Sequence, residues 1–348
     1  MSRHWLALAA WAALPVGAAA DEPLAAPMLT NNGGAYVQFE LGAGRIHATY
    51  GPNAAGGGVS SMSSSSGAVS EQLRISRDGG EVEIRYERRQ RDDLFSIDAK
   101  GSDEFKLSRT MPRDGKPFCI ELSQTAGQPL RLKIGPERAV EEFRGRTLWH
   151  LLLAQPEPCR RHLVPLLDLM NGQWKLAAFC DAVEKELLGK PAGEANGRRA
   201  RWAAWVADLA DEEFAKREAA DRNLRAAGPE AIGFLEQLDP KGLDAEQQFR
   251  TRRIIAALSA GATHQSAESV AAALRNDSEV WLAMLGRDDA TAREAAARQL
   301  GALWGRPIAF DPQGEEAVRR RQLDRLRGEW QRSAAATNTV PPKMPASQ

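Results

Sequence analysis

The sequence predicts a segregated α+β protein, in which an N-terminal antiparallel β meander, sandwich or barrel-like, precedes an all-α domain of helical repeats. Apolar residues alternate with polar ones from about residue 35 to residue 136, which is the period of a β-strand. After Gly145 the apolar residues recur at the period of a helix. Two stretches in the C-terminal half are also copies of one another, which indicates a repeated structural unit.

The composition is that of a globular protein of about two domains. Of the 348 residues, 43% are hydrophobic and 26% are charged, so disorder is not the dominant state. The 46 basic residues balance the 46 acidic ones. A protein whose main partner is nucleic acid or an anionic membrane favours a net basic surface, so we expect no nucleic-acid partner. Three cysteines exclude a disulfide-dense scaffold.

Residues 1–20 have the pattern of a secretory signal peptide. A short basic start precedes an apolar run from Trp5 to Val16, and small residues end at Ala20. A helix of that run would be about 18 Å long, whereas the hydrocarbon core of a bilayer is about 30 Å thick. We therefore expect cleavage near Ala20, a periplasmic or secreted protein, and no integral membrane segment in the mature chain.

Residues 33–136 are predicted to form the β domain, with roughly eight short strands. Two hairpins are clearest, one turning at residues 78–80 and the other at residues 100–103. We expect the strands to close as a sandwich or barrel. The Ser/Gly-rich segment 54–68 is too poor in apolar residues to offset the entropy of ordering it, and it is predicted to be a mobile loop.

Residues 146–190 are predicted to form a helical bridge, and they contain a cluster of potential ligands: His150, Cys159, His162 and Cys180. Zinc accepts two His and two Cys, but the spacing differs from that of a usual structural site. A Cys159–Cys180 disulfide is favoured by an oxidising compartment, and two buried free thiols are the third interpretation. A Cys nucleophile with a His base would make the segment catalytic, but neither Cys lies in a nucleophile motif.

The two similar stretches are Trp205–Gly228 and Trp281–Trp304. Aligned without a gap, they are identical at ten of 24 positions and lie 76 residues apart. In each, an apolar helix end precedes an acidic turn and a second helix, to which Phe214 is assigned in the first copy. A more divergent helix pair is expected between the copies, with Phe249 in one of its helices. One helix pair cannot bury its apolar stripe alone, so we expect the pairs to stack.

The segments DLADEEFAKREAADRNLRAAG and MLGRDDATAREAAARQLGALWG resemble HEAT-like repeats, and residues 202–330 are assigned to a HEAT-like domain on that basis. The resemblance implies stacked antiparallel helix pairs that serve as interaction surfaces in scaffold or adaptor proteins. The layout of the whole chain is similar to that of a family of uncharacterised exported bacterial proteins, which implies no particular activity.

The last helix, predicted over residues 315–330, carries several arginines beside an apolar stripe. Nucleic-acid binding would use such a basic face, but a terminal repeat also needs a polar outer side, and we favour that capping role. Residues 333–348 contain three prolines and small polar residues, and they are predicted to be a disordered tail.

We therefore expect an exported interaction or scaffold protein that has no catalytic activity, requires no cofactor and binds another protein. The expected contact residues lie in the two repeat turns and in the last helix: Asp211, Glu212, Arg217, Asp288, Asp289, Arg293, Arg320 and Arg321. One alternative is a Cys/His-dependent or zinc-dependent enzyme that uses the segment 150–180. Another is a carrier of an apolar ligand inside the β domain, which predicts a lined cavity.

Overall fold

The computed structural model describes residues 37–50, 60–78, 81–101, 104–189, 195–236, 238, 240–260 and 266–337. Within them an antiparallel β region precedes an all-helical region, which confirms the predicted fold class. The expected signal peptide and the first part of the Ser/Gly-rich segment lie outside these residues. None of the described helices combines the length and hydropathy that a membrane crossing requires.

Ten strands form two antiparallel sheets in the described residues. The first sheet is a hairpin of β1 (Val37–Gly42) and β2 (Arg45–Tyr50). The second is an eight-stranded meander in chain order, made of β3 (Ser60–Ser66), β4 (Val69–Asp78), β5 (Glu81–Gln90), β6 (Asp93–Lys100), β7 (Glu104–Arg113), β8 (Lys116–Gln124), β9 (Leu130–Pro136) and β10 (Glu141–Gly145). Both predicted hairpins are confirmed as β4–β5 and β6–β7.

The larger sheet is open, so the expected closure into a sandwich or barrel is wrong. Its edge strands β3 and β10 do not pair with each other. The buried face is instead covered partly by the β1–β2 hairpin, where the Phe39 ring lies 6.1 Å from the Phe105 ring. The Gln124 side chain fixes the hairpin there, since its amide oxygen accepts from Ile46 N at 3.0 Å and its amide nitrogen donates to Ile46 O at 2.9 Å.

Residues 60–66 form strand β3, which corrects the prediction of a loop over 54–68. Each of these residues pairs with β4, as in the register Ser63↔Gln72. Serines are poor in apolar surface, but an edge strand obtains its backbone hydrogen bonds from the neighbouring strand and can leave its side chains in solvent. Met62 alone among them packs against the apolar core.

Eleven α-helices are described, most of them where the 3.6-residue period predicts them: α1 (Leu148–Ala154), α2 (Val164–Met170), α3 (Leu176–Gly189), α4 (Ala195–Asp208), α5 (Phe214–Ala226), α6 (Ile232–Leu235), α7 (Ala245–Ala260), α8 (Ala267–Arg275), α9 (Ser278–Met284), α10 (Ala290–Trp304) and α11 (Glu316–Thr337). A helical turn, Pro156–Pro158, and a π-helical turn, Cys159–Leu163, lead into α2. Helix α11 continues to Thr337, so residues 333–337 of the predicted tail are helical.

The apolar side chains form two separate cores. The larger core joins the sheets to α1–α3 and α8–α11, and the smaller core lies within α4–α7. The first copy of the repeat therefore lies in the smaller core and the second copy in the larger one. The expected intervening pair is present as helices α7 and α8, but these belong to different cores. Arg199 of α4 links the helices of the smaller core to those of the larger core by donating to Asn276 O at 2.6 Å.

Candidate functional site

The two copies of the repeat, here called repeat 1 (Trp205–Gly228) and repeat 2 (Trp281–Trp304), fold alike. Each consists of a helix end, a short turn and a second helix, α4–α5 in repeat 1 and α9–α10 in repeat 2. The first helix ends with the same hydrogen bonds, such as Leu209 N to Trp205 O at 3.2 Å and Leu285 N to Trp281 O at 3.0 Å. The aligned leucines of both copies are at most 1% exposed.

An arginine in the second helix of each repeat stabilises the turn. Arg217 Nη1 donates to Asp211 O at 2.8 Å and to Glu212 O at 3.0 Å. Arg293 Nη1 donates to the two aligned carbonyls, Arg287 O at 2.7 Å and Asp288 O at 2.6 Å. Because these bonds correspond atom for atom, the two guanidinium groups have the same orientation in their repeats. We call this arrangement the arginine brace.

Four of the predicted contact residues take part in the structure of the two turns. Arg293 is only 5% exposed and Arg217 is partly buried, and both arginines support the turn. Asp289 caps α10, accepting from Ala292 N at 2.9 Å. Asp211 accepts from Glu213 N at 2.9 Å, and this bond is the main reason that its pKa lies below the ordinary value.

The remaining predicted contact residues are exposed. Glu212 and Asp288 lie in the two turns with free access to solvent. Arg320 and Arg321 lie on the outer side of α11, where Arg320 pairs with Glu316 at 2.8 Å. The opposite side of α11 buries Leu323 and Leu326 in the larger core. An isolated exposed pair such as Arg320–Glu316 contributes little to stability.

The repeats differ in what covers them. In repeat 2 an irregular, non-helical segment, here called the strap (residues 306–314), lies over the second helix. Arg293 Nε donates to Pro312 O at 2.7 Å, and Gln313 Nε2 donates to Glu294 Oε1 at 2.7 Å. Helix α11 holds the other side of the strap, since Arg325 Nη2 donates to Ala309 O at 2.8 Å. The guanidinium of Arg293 therefore uses both its Nη1 and its Nε.

Repeat 1 has no such cover among the described residues. Arg217 Nε is buried and has no hydrogen-bond partner there. The Phe214 ring lies against this guanidinium, 5.6 Å from centroid to Cζ, and is 63% exposed. On the neighbouring helix α7, Phe249 is 50% exposed and has Arg253 at 5.6 Å. We call the surface formed by Phe214, Arg217, Phe249 and Arg253 the open face.

The two exposed phenylalanines lie on two helices that are joined by an ion pair. Arg250 of α7 binds Glu218 of α5 at 2.8 Å. Phe249 is adjacent to Arg250, and Phe214 is about one helical turn before Glu218. The helical period assigns both phenylalanines to helices but does not predict their exposure. The alignment of the copies contains a signal, since Phe214 stands where repeat 2 has Ala290.

A polar cluster joins the end of the β region to the helices, and we call it the junction cluster: Arg146, Thr147, His150, Asp277 and Glu279. His150 Nε2 lies 2.8 Å from Asp277 Oδ2, and His150 Nδ1 lies 2.7 Å from Thr147 Oγ1. Burial, followed by the nearby Arg146 charge, holds the pKa of His150 well below its ordinary value. His150 is therefore neutral at neutral pH.

Within the described residues, His150, Asp277 and Glu279 are the one group of three ligand atoms close enough together to hold a metal ion, all within 4.8 Å. Arg146 already supplies a positive charge at this position. It forms an ion pair with Asp277 and another with Glu279 at 3.0 Å. A metal ion would have to compete with that guanidinium for both carboxylates. The geometry thus favours a structural role, in which the cluster links the β region to the helical region.

The ligand set predicted from the sequence is not assembled. His150 lies in the junction cluster, whereas His162 packs against the Phe118 ring at 5.2 Å. Cys159 and Cys180 are free thiols, so the disulfide that the sequence allowed is not formed. Burial is the main cause that raises the pKa of each thiol to about 12. A thiol with such a pKa is protonated at neutral pH and is a weak nucleophile.

The interior of the β region is packed with apolar side chains. Leu107, Leu122 and Leu132 on the buried face of the sheet have no accessible surface, so they line no cavity that a solvent molecule could enter. The apolar-carrier interpretation therefore receives no support from the described strands.

Comparison of the chain with protein-family models, with curated proteins and with solved structures finds no match in any of the three. The function therefore has to be inferred from the chain's own geometry. Of the features described above, the junction cluster and the arginine brace of repeat 2 find their main hydrogen-bond partners within the fold. The open face is the feature that leaves large apolar side chains in solvent.

Proposed function

We propose that the protein is an exported, non-catalytic scaffold that binds another protein through the open face of repeat 1. The observation that carries the proposal is the exposure of Phe214 and Phe249, at 63% and 50%. Val140 is the one other large hydrophobic side chain that is exposed among the described residues. Exposed aromatic residues flanked by arginine are characteristic of protein interfaces, where both residue types are enriched among the energetically dominant contacts.

The comparison with repeat 2 strengthens this proposal. In repeat 2 the strap accepts a hydrogen bond from Nε of the arginine, whereas in repeat 1 Nε of Arg217 is buried and has no acceptor among the described residues. Burying the exposed part of a phenylalanine stabilises a complex by about 1–2 kcal/mol. A single exposed apolar side chain requires no explanation, but here two large ones lie on helices that are joined by an ion pair.

The export and repeat components of the proposal come from the sequence. Residues 1–20 have the pattern of a signal peptide, and the repeated segments resemble HEAT-like repeats, which occur in scaffold and adaptor proteins. The proposed absence of catalysis is supported by Cys159 and Cys180, whose thiols are buried and protonated at neutral pH.

Site-specific photo-crosslinking tests the proposal. A photoreactive amino acid is placed at position 214, at position 249 or, as the control, at position 140, and the cells that make the protein are irradiated. We expect positions 214 and 249 to give a covalent adduct with the same second polypeptide, and position 140 to give none. Absence of an adduct at 214 and 249, or an equal adduct at 140, would show that the open face is not the binding surface.

A further inference from the structure

We propose that the open face binds an irregular, proline-containing peptide segment of the partner, in the way that repeat 2 binds its own strap. This inference rests on the proposed function and specifies the chemistry of the partner. The chain provides the template itself, because in repeat 2 the strap supplies an acceptor to the arginine whose counterpart in repeat 1 lacks one among the described residues. A folded domain that docks through a flat surface would be a different kind of occupant.

The equivalence of the two arginines supports the inference. Arg217 and Arg293 donate through Nη1 to aligned carbonyls of their turns, so their Nε groups point in the same direction relative to the repeat. Arg293 Nε donates to Pro312 O of the strap at 2.7 Å. Arg217 Nε has no partner in the described part of the chain. A buried donor that lacks an acceptor is costly, and a peptide carbonyl placed like Pro312 O would satisfy it.

The strap also defines the shape of the ligand. It runs as an irregular segment between α10 and α11 that contains a turn, closed by Gly314 N donating to Asp311 O at 3.3 Å, and its carbonyls accept from arginines of both helices. Its Ile308 and Phe310 side chains pack against the larger core. The partner segment would therefore offer main-chain carbonyls to Arg217 and apolar side chains to the exposed rings of Phe214 and Phe249.

One difference between the repeats determines how the peptide enters. Phe214 replaces Ala290 of repeat 2, and its ring lies against the guanidinium of Arg217. The ring must turn aside before a carbonyl reaches Arg217 Nε. Since the ring is 63% exposed, little packing opposes this rotation, and the turned ring can cover an apolar side chain of the peptide.

A second difference between the repeats shows which strap contact of repeat 2 the peptide would not form in repeat 1. In repeat 2, Glu294 accepts from Gln313 of the strap at 2.7 Å. Its counterpart Glu218 is bound to Arg250 at 2.8 Å. The peptide therefore needs no glutamine at that place, and specificity comes from the carbonyl and the apolar side chains.

The test uses the full chain and a fluorescent synthetic peptide with the strap sequence from Pro307 to Gln313, followed by fluorescence anisotropy. We expect saturable binding of one peptide, weakened about ten-fold or more by Phe214→Ala, because the loss of one aromatic contact corresponds to about a factor of ten. Arg217→Lys, which keeps the charge and removes the Nε donor, should weaken binding by a similar factor. Val140→Ala is the matched control and should bind like the unaltered protein.

Two results would overturn the inference. The first is no binding at millimolar peptide. The second is equal binding by Phe214→Ala and the unaltered protein, because binding that does not depend on Phe214 would indicate that the peptide displaces the strap from repeat 2. Phe214→Ala changes an exposed side chain, so it keeps the test valid if Arg217→Lys unfolds the turn. A circular dichroism spectrum and thermal midpoint equal to those of the unaltered protein confirm that each variant is folded.

The crosslinking experiment separates this inference from the proposed function. If position 214 crosslinks a partner and the peptide does not compete with that partner, the protein binds through the open face but not through a segment like the strap. If the peptide binds in a Phe214-dependent manner and no partner is crosslinked, the open face recognises peptides and the scaffold function is wrong.

Discussion

The arginine braces lead to a quantitative prediction, because Arg293 and Arg217 stabilise equivalent turns but donate different numbers of hydrogen bonds. Arg293 donates to three carbonyls, Arg287 O, Asp288 O and Pro312 O, whereas Arg217 donates to two. Methionine retains much of the apolar stem and leaves the acceptors without their donor. A hydrogen bond from a charged donor contributes about 1.5–3 kcal/mol. Arg293→Met should therefore lower the local free energy of unfolding by about 1.5–3 kcal/mol more than Arg217→Met.

Native-state hydrogen exchange measures this difference. The two repeats lie in different apolar cores, so one global unfolding curve would mix their contributions. The protection of amides in α5 is compared between Arg217→Met and the unaltered protein, and that in α10 between Arg293→Met and the unaltered protein. Arg320→Met, on an exposed surface, is the control and should change protection by less than about 0.5 kcal/mol. Equal losses in the two helices, or a larger loss in α5, would refute the assignment of the third bond.

Three further predictions concern the junction cluster, the thiols and the hairpin. Because the folded-state pKa of His150 lies well below 6.5, the unfolded chain binds a proton at this residue first as the pH falls, and the free energy of unfolding should decrease below pH 6.5 by up to about 1.4 kcal/mol per pH unit. Urea titrations from pH 8 to 5 should show a smaller decrease in His150→Gln than in the unaltered protein. The same decrease in both proteins would contradict the assignment. Cys159 and Cys180, with pKa values of about 12, should react with iodoacetamide at pH 8 only after urea unfolding, and rapid labelling of the native protein would disagree. Gly44 has φ +73° and a Cβ there would lie 2.7 Å from the nearest side chain, so Gly44→Ala should destabilise by about 2–4 kcal/mol. At Gly67, with φ +59° and no atom within 4 Å, alanine should cost only about 1–2 kcal/mol, and equal losses by thermal denaturation would show that the close contact is unimportant.

The strands that the sequence predicted are those in which apolar and polar residues alternate. Ile97 and Leu107 are paired across β6 and β7, and both follow the alternation of one buried and one exposed face. Strands β3 and β10 lack that pattern, because Ser60–Ser66 has almost no apolar residues and Glu141–Gly145 has one phenylalanine. These strands exist because a neighbour supplies their hydrogen bonds, which is a property of the sheet and not of the segment itself.

The junction cluster could not be predicted from the spacing of its residues along the sequence. His150 meets Asp277 across 127 positions of sequence, and the contact depends on how α9 packs against α1. The nearby His162, Cys159 and Cys180 offered a more compact set along the chain. His150 and His162 contact different residues, and Cys159 and Cys180 are buried thiols without a disulfide, so proximity in sequence was a poor guide to a shared site.

The comparison of the two repeats changes how internal identity should be interpreted. The positions shared by both copies include Arg217 with Arg293, and these residues hold the turn together. Identity between the copies at these arginines therefore marks what the turn requires, and the partner contacts expected at them stay a prediction. A specific partner would be recognised where the copies differ, since a surface common to both repeats cannot distinguish the covered one from the open one. Phe214, at the position of Ala290, is such a difference, and it lies where repeat 1 lacks a strap.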